Sequence, residues 1–307
     1  MSGSLRTTTA RRFWRAAALG AVALIGGSLW AQSTPALDSA IISGLPARNI
    51  GSATMSGRIA AVAAVHDRGQ ITVYAASASG GVWRSINGST TFTPIFDKTS
   101  VQSIGAITID PSNPKNLWVG TGESWTRNSV SIGDGVYRST DGGDNWTNLG
   151  LKESEHISKI IVDPKDGNTA LVCSLGHLWS DGGDRGVFKT TDAGKTWRNV
   201  LPGVNASTGC GMLSSSASEP NTIYASQWDF RRQGWTFRSG GAGSGIFKST
   251  DGGEHWTELN DSNAKGLPAK PYGRIAVAVA PSKPSVVYAM IESAASALFR
   301  SDDGGAN

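Results

Sequence analysis

Three stretches of the chain share one pattern of apolar and polar positions. GAITIDPSNPKNLWVGTGE (105–123), KIIVDPKDGNTALVCSLG (159–176) and RIAVAVAPSKPSVVYAMIE (274–292) each read as an apolar run, an Asp-Pro or Ala-Pro turn, and a second apolar run. Short alternating apolar runs bounded by Pro, Asn and Gly predict β-strands joined by tight turns. Each pair is followed by a loop, a third short run (GVYRS, GVFKT or GIFKS), a polar box, and a last short strand such as WTNLG.

The boxes repeat. RSTDGGDNWTNL (138–149), KTTDAGKTWRNV (189–200) and KSTDGGEHWTEL (248–259) carry Asp, Gly and Trp at fixed offsets. Asp141, Asp192, Asp251 and Asp303 are spaced 51, 59 and 52 residues apart, and a degenerate copy, RSINGSTTF (84–92), places Asn87 54 residues before Asp141. The unit is therefore four short antiparallel strands in roughly 50 residues. A unit this small cannot bury both faces of its own sheet and must stack on copies of itself, and a radial stack is a β-propeller. The expected fold is all-β, with about four full blades and three strands of a fifth. Each box falls in the turn between a blade's third and fourth strands. There the Asp can accept backbone N–H bonds, the Gly residues can take positive φ, and Trp146, Trp197 and Trp256 can fold back on the blade edge. A motif repeated once per blade reads as architecture, because catalysis needs one asymmetric site.

Composition agrees: 39 Gly and 11 Trp suit many tight turns with aromatic anchors. The N-terminus is separate. Arg6, Arg11, Arg12 and Arg15 precede the apolar run AAALGAVALIGGSLW (16–30), which ends at Ala31. This order predicts a secretory signal peptide over 1–31, a linker over 32–47 and the propeller over 48–307. The expected product is an exported protein, periplasmic or extracellular, with no membrane segment after cleavage. Removing four arginines takes the formal net charge from +4 to about 0, which argues against nucleic acid as a partner. Cys173 and Cys210 lie in apolar or small-residue strand contexts, which favours two buried thiols over a bridge.

The form Ser/Thr-x-Asp-x-Gly-x-x-Trp resembles the Asp-box (BNR) repeat of sialidases, xyloglucanases and sortilin receptors. RNIGSATMSGRIA (48–60), VGTGESWTRNSVSIGDGVYRSTDGG (119–143), LGHLW (175–179) and GGAGSGIFKSTDGG (240–253) are similar to exported bacterial proteins with a sortilin-type N-terminal propeller, often labelled glycosyl hydrolase. Members of that group run longer. Since the fifth box stops at Asn307 before its Trp, the resemblance implies an N-terminal piece of a larger protein.

In a propeller the 2–3 and 4–1 loops share the face opposite the boxes. Those loops are where this sequence stops repeating. Glu123, Trp125, Arg127 and Asp134 come from the second blade, His177 and Trp179 from the third, and Trp228, Asp229, Arg231, Arg232 and Trp235 from the fourth; Glu292 comes from the fifth. Arg58 and Arg274 each open an inner strand and can point into the central channel or pair with a carboxylate. Indole faces stack on sugar rings or apolar side chains and arginine forks clamp carboxylates, so the leading expectation is a glycan or peptide ligand. A glycoside hydrolase would instead draw a carboxylate pair from Glu123, Asp134, Asp229 and Glu292, and a protein-assembly scaffold is a third class. A sialidase mechanism is not expected, because GRIA (57–60 and 273–276) lacks the aromatic and Pro of the sialidase arginine motif. No cofactor is expected. Asp181 and Asp184 are the loop pair with calcium-type chemistry, and the four histidines show no metal spacing.

Overall fold

The computed structural model describes residues 57–67 and 69–307, so the expected signal peptide and linker lie outside the described residues. Five antiparallel sheets follow one another along the chain. The first holds β1 (Ile59–Asp67), β2 (Gln70–Ser77), β3 (Val82–Ser85) and β4 (Thr93–Pro94). The second holds β5 (Ile104–Ile109), β6 (Leu117–Thr121), β7 (Val136–Ser139) and β8 (Thr147–Asn148). The third comprises β9 (Ile157–Val162), β10 (Ala170–Ser174), β11 (Gly186–Thr190) and β12 (Arg198–Leu201). The fourth comprises β13 (Thr208–Ser216), β14 (Glu219–Gln233), β16 (Gly245–Ser249) and β17 (Thr257–Leu259), with β15 (Thr236–Ser239) paired to the far end of β14. The fifth has three strands, β18 (Ile275–Val279), β19 (Val287–Ile291) and β20 (Ala297–Ser301). These are propeller blades, and the inner strands β1, β5, β9, β13 and β18 pack side by side in chain order.

The core lies between blades. Tyr74 and Val82 of the first sheet pack with Leu117 and Val119 of the second. Val136 of the second packs with Ile160 and Val172 of the third, and Leu171 and Val187 of the third pack with Leu213 and Ile223 of the fourth. Burial follows this stacking. All five residues of β6 are buried because both faces are covered, whereas β18 and β19 alternate buried and exposed, the signature of a sheet covered on one face.

The box turns are built alike. Ser139 Oγ donates to Asp141 Oδ1 at 2.7 Å and accepts from Gly143 N at 2.8 Å, while Asp144 N and Asn145 N both donate to Asp141 Oδ1 at 3.0 Å. Asp251 and Asp303 repeat the set, and Asn87 supplies a neutral version. Hydrogen bonds hold these carboxyls well below their ordinary range; Asp192 falls to about 2, with the Thr196 hydroxyl the largest cause. Gly142 and Gly252 sit at φ +80° and +72°, and Ala193 takes the corresponding place in the third box at φ +65°.

The tryptophans do more than anchor their own turns. Trp146 Nε1 donates to Ile95 O, and Trp197 Nε1 to Leu149 O, both at 2.8 Å and both in the preceding blade. Trp256 Nε1 instead bonds within its own turn, to Gly253 O at 3.2 Å. At three of the boxes a cation from the preceding blade's third strand completes the latch. Arg84 reaches Gly142 O at 2.9 Å, Lys189 reaches Gly252 O at 2.8 Å and Lys248 reaches Gly304 O at 2.7 Å.

One expectation is corrected. Cys173 in β10 and Cys210 in β13 are joined in a disulfide across the third and fourth blades. Their strand contexts suggested separate buried thiols, but stacking of the blades brings the two Cα atoms to 5.0 Å, inside the range a disulfide needs.

Candidate functional site

The unrepeated residues gather where the inner strands begin and the 2–3 loops end. The second blade sends in loop 122–135 between β6 and β7, the third sends loop 175–185 between β10 and β11, and the fourth sends the β14–β15 hairpin. Arg232 of that hairpin donates to Asn128 Oδ1 of the second blade's loop at 2.8 Å through Nε. Val130 packs against Leu175, Leu178, Trp228 and Phe230 in the same cap. Arg185 nails the third loop down by donating to the carbonyls of Leu175, Gly182 and Ser207, among others, and burial pulls its pKa down to about 10.

All four candidate carboxylates accept hydrogen bonds from their own surroundings. Glu123 is 1% exposed and accepts both Nε and Nη2 of Arg58, so Arg58 pairs instead of standing open in the channel. The Glu123 carbonyl accepts from His156 Nδ1 at 2.8 Å, and His156 Nε2 is buried with no hydrogen-bond partner among the described residues, the Glu155 carboxylate lying 3.9 Å away. Burial lowers the His156 pKa, with the Glu123 carbonyl and the Glu155 charge acting the other way. Asp134 accepts from the hydroxyls of Ser100 at 2.5 Å and Tyr137 at 2.8 Å. Asp229 is buried in β14. Burial pushes its carboxyl up, but hydrogen bonds from Ser207, Asn205, Arg238 and the Gly243 amide outweigh it and hold the pKa below its ordinary value. Glu292, the fourth, is exposed and accepts on Oε2 from Ser239 Oγ at 2.6 Å and Arg274 N at 2.7 Å.

Arg274 is placed differently from Arg58. Its guanidinium carbon lies 4.6 Å from the Trp125 ring centre and 5.0 Å from that of Trp228, so the cation contacts two indoles. Burial lowers its pKa, with the Glu292 charge acting the other way. Trp228 is fully buried and stacks on Phe230 at 4.5 Å, whereas Trp125 is 53% exposed. Trp125, Arg274 and Glu292 stand on the wall of a cavity of about 870 Å³ that the inner strands line.

The other candidates lie around this mouth without reaching the cavity wall. Trp179 and Trp235 are exposed at 43% and 85%. His177 Nδ1 meets Ser180 Oγ at 3.0 Å and Nε2 meets Glu153 Oε2 at 3.3 Å. Arg231 pairs with Asp181 at 2.7 Å, and Arg127 is on the exposed part of the second loop. Among the described residues no three His, Cys, Asp or Glu side chains converge on a point that could hold a metal ion.

Sequence reasoning passed over Lys159, in the inner strand β9, which lines the cavity. Its signal was a lone charge inside the run ISKIIV, where each inward position of an inner strand faces the channel.

Comparison with known proteins places this arrangement. A xyloglucanase of a Paenibacillus species is 26% identical over 210 residues, covering 62% of this chain and 19% of that protein. A xyloglucanase of Hypocrea jecorina is 25% identical over 211 residues, covering 62% of this chain and 24% of that protein. The chain thus spans about a fifth to a quarter of the length of these relatives. Among solved structures, a GH74 enzyme of Niastella koreensis superposes with a TM-score of 0.55 at 24% identity, covering 77% of this chain and 35% of that one. Its likeness shows the fold. Residues 134–307 match the Sortilin-Vps10 family (sortilin, neurotensin receptor 3), and with more than half of its length matched the chain belongs to that family.

Proposed function

We propose that this chain is an exported propeller that binds a glycan at the channel mouth. The observation that carries the reading is the half-exposed indole of Trp125, stacked on Arg274 at the rim of the 870 Å³ cavity. A flat indole with an open face packs against the C–H face of a pyranose ring, and the underlying cation fixes the indole in place. The relatives named as xyloglucanases support a sugar as ligand and a glycoside hydrolase-like propeller as scaffold.

Binding is favoured over hydrolysis by the state of the carboxylates. A general acid needs a carboxyl whose pKa is raised and which faces the reacting bond. Glu123 is paired with Arg58, Asp134 is held by two hydroxyls, and Asp229 has its pKa lowered. The test is titration calorimetry of the purified chain against a panel of neutral and acidic oligosaccharides, xyloglucan fragments included. At least one should bind, and Trp125→Ala should weaken it about tenfold or more, the scale of losing one ring stack. Absence of binding by every oligosaccharide ends the reading, and release of new reducing ends, abolished in Glu292→Gln, would move it to hydrolysis.

A further inference from the structure

Seven arginines come from the loops and strand starts that frame the channel mouth; five of them have acceptors, and Arg127 is exposed to solvent. Arg58 pairs with Glu123, Arg185 with backbone carbonyls, Arg231 with Asp181, Arg232 with Asn128 and Arg238 with Asp229. Arg274 differs. Its guanidinium lies over two indole rings, yet among the described residues its N–H groups donate to no acceptor. Glu292 lies close enough to act on it electrostatically but forms no ion pair with it, because its Oε2 is taken by the Arg274 backbone N–H and by Ser239.

Arg274 is partly buried, and donors that no protein group uses are free to bind an acceptor on a ligand. The same wall carries Lys159, which also has no hydrogen-bond or ion-pair partner among the described residues. The cavity wall therefore presents two cations against the single carboxylate of Glu292. The rest of the wall is apolar or small, with hydroxyls at Ser124, Ser158 and Ser296.

Building on the glycan reading above, we propose that the cavity takes an acidic sugar, a uronate residue whose carboxylate is clamped by Arg274 with Lys159 as the second positive charge. The geometry points to a planar anion. Two indole rings lie within 5.0 Å of the guanidinium carbon while its N–H fork is unused, and that fork matches a carboxylate, which accepts two parallel N–H bonds. Serine hydroxyls and an open indole suit the hydroxyls and C–H faces of a sugar better than the chain of a peptide terminus. Trp125 then serves both halves of the ligand. It stacks on the ring and holds the fork that reads the charge.

The test compares two probes of one shape: oligogalacturonate and its methyl ester, which keeps the sugar and removes the charge. Calorimetry on the 307-residue chain should show the acid form binding about tenfold or more tightly than the ester, as expected for charge-assisted bonds, with the preference shrinking as salt rises. Arg274→Gln should bring acid and ester to near equality, Arg274→Lys should keep part of the preference, and Lys159→Gln should reduce it severalfold. Because the acid-to-ester ratio is read first on the unaltered protein, a variant that fails to fold does not remove the test. If the ester or a neutral oligosaccharide binds as well as the acid, the uronate assignment is overturned while glycan binding stands. If no sugar binds, both fall. If a peptide with a free C-terminal carboxylate binds more tightly than the uronate, and its amide does not, the carboxylate clamp is serving a different ligand class and the proposal is overturned.

Discussion

The two faces of the propeller spend their charges in opposite ways. On the box face the motif aspartates are enclosed by their own turns, although Asp144 and Glu254 beside them pair with Arg84 and Lys189 of the preceding blade. Asp141, Asp192, Asp251 and Asp303 each accept a hydroxyl and two backbone amides from within five residues, and all four are held low in pKa. On the opposite face the partners come from far along the chain. Arg58 and Glu123 are 65 residues apart and Arg232 and Asn128 are 104 apart, while the Arg274 side chain has no acceptor among the described residues. A charge satisfied locally can be copied from blade to blade without reference to its neighbours. A charge satisfied across blades is specific to one place in the stack of blades, and that is where an unrepeated ligand site can form.

The sharpest way to break this contrast is to truncate one tryptophan on each face. Trp146→Ala on the box face removes the bond to Ile95 and the edge contact with Phe96. It should cost about 3 kcal/mol in urea unfolding, the low end for a large aromatic because the ring is only partly buried, and leave sugar affinity within about twofold. Trp125→Ala should do the reverse, losing the ligand while stability changes by less than about 0.5 kcal/mol. Should both variants lose stability equally, the division between the faces fails.

A smaller effect separates the faces by pH. The box carboxyls have folded-state pKa values below their unfolded ones, so their stabilisation is fully present above about pH 4. For Asp192 it is lost as pH falls through that value towards about 2. Thermal unfolding should show a declining acid limb, and Asp192→Asn should flatten it, since Asn87 already supports the first turn without a charge. An unchanged acid limb in that variant would show that the box charge does not stabilise the turn.

The smallest expected effect is a gain. Ala193 holds the left-handed conformation that glycine takes in the neighbouring boxes, a strain of about 1 kcal/mol for a residue with a Cβ. Ala193→Gly should therefore raise stability by up to about 1 kcal/mol in chemical denaturation, offset in part by the extra freedom of glycine in the unfolded chain. Binding should not change.

Much of the frame was legible because its signals are short-range. Alternation located the strands, Asp-Pro and box turns located their ends, and the box spacing numbered the blades. The loops of the ligand face were also identifiable, since they are the segments where the repeat fails. Their roles were not. Glu123 looked like a free carboxylate, but Arg58 covers it, and Arg274, which shares the GRIA string with Arg58, is left open against two indoles. Identical tetrapeptides take different states because each opens onto a different neighbouring blade. Lys159 was hidden for a related reason: β9 reads as an ordinary core strand until the channel beside it is known.

The sequence by itself determined the blade, because a four-stranded unit and its box turns are held by bonds between residues close along the chain. It also determined which face is unrepeated. Only the tertiary structure decided that Cys173 meets Cys210, that Glu123 is neutralised by Arg58, and that Arg274 keeps unused donors on a cavity wall. Those outcomes depend on which blades stand side by side and on what each loop meets across the mouth, and no periodicity along one chain encodes that distance.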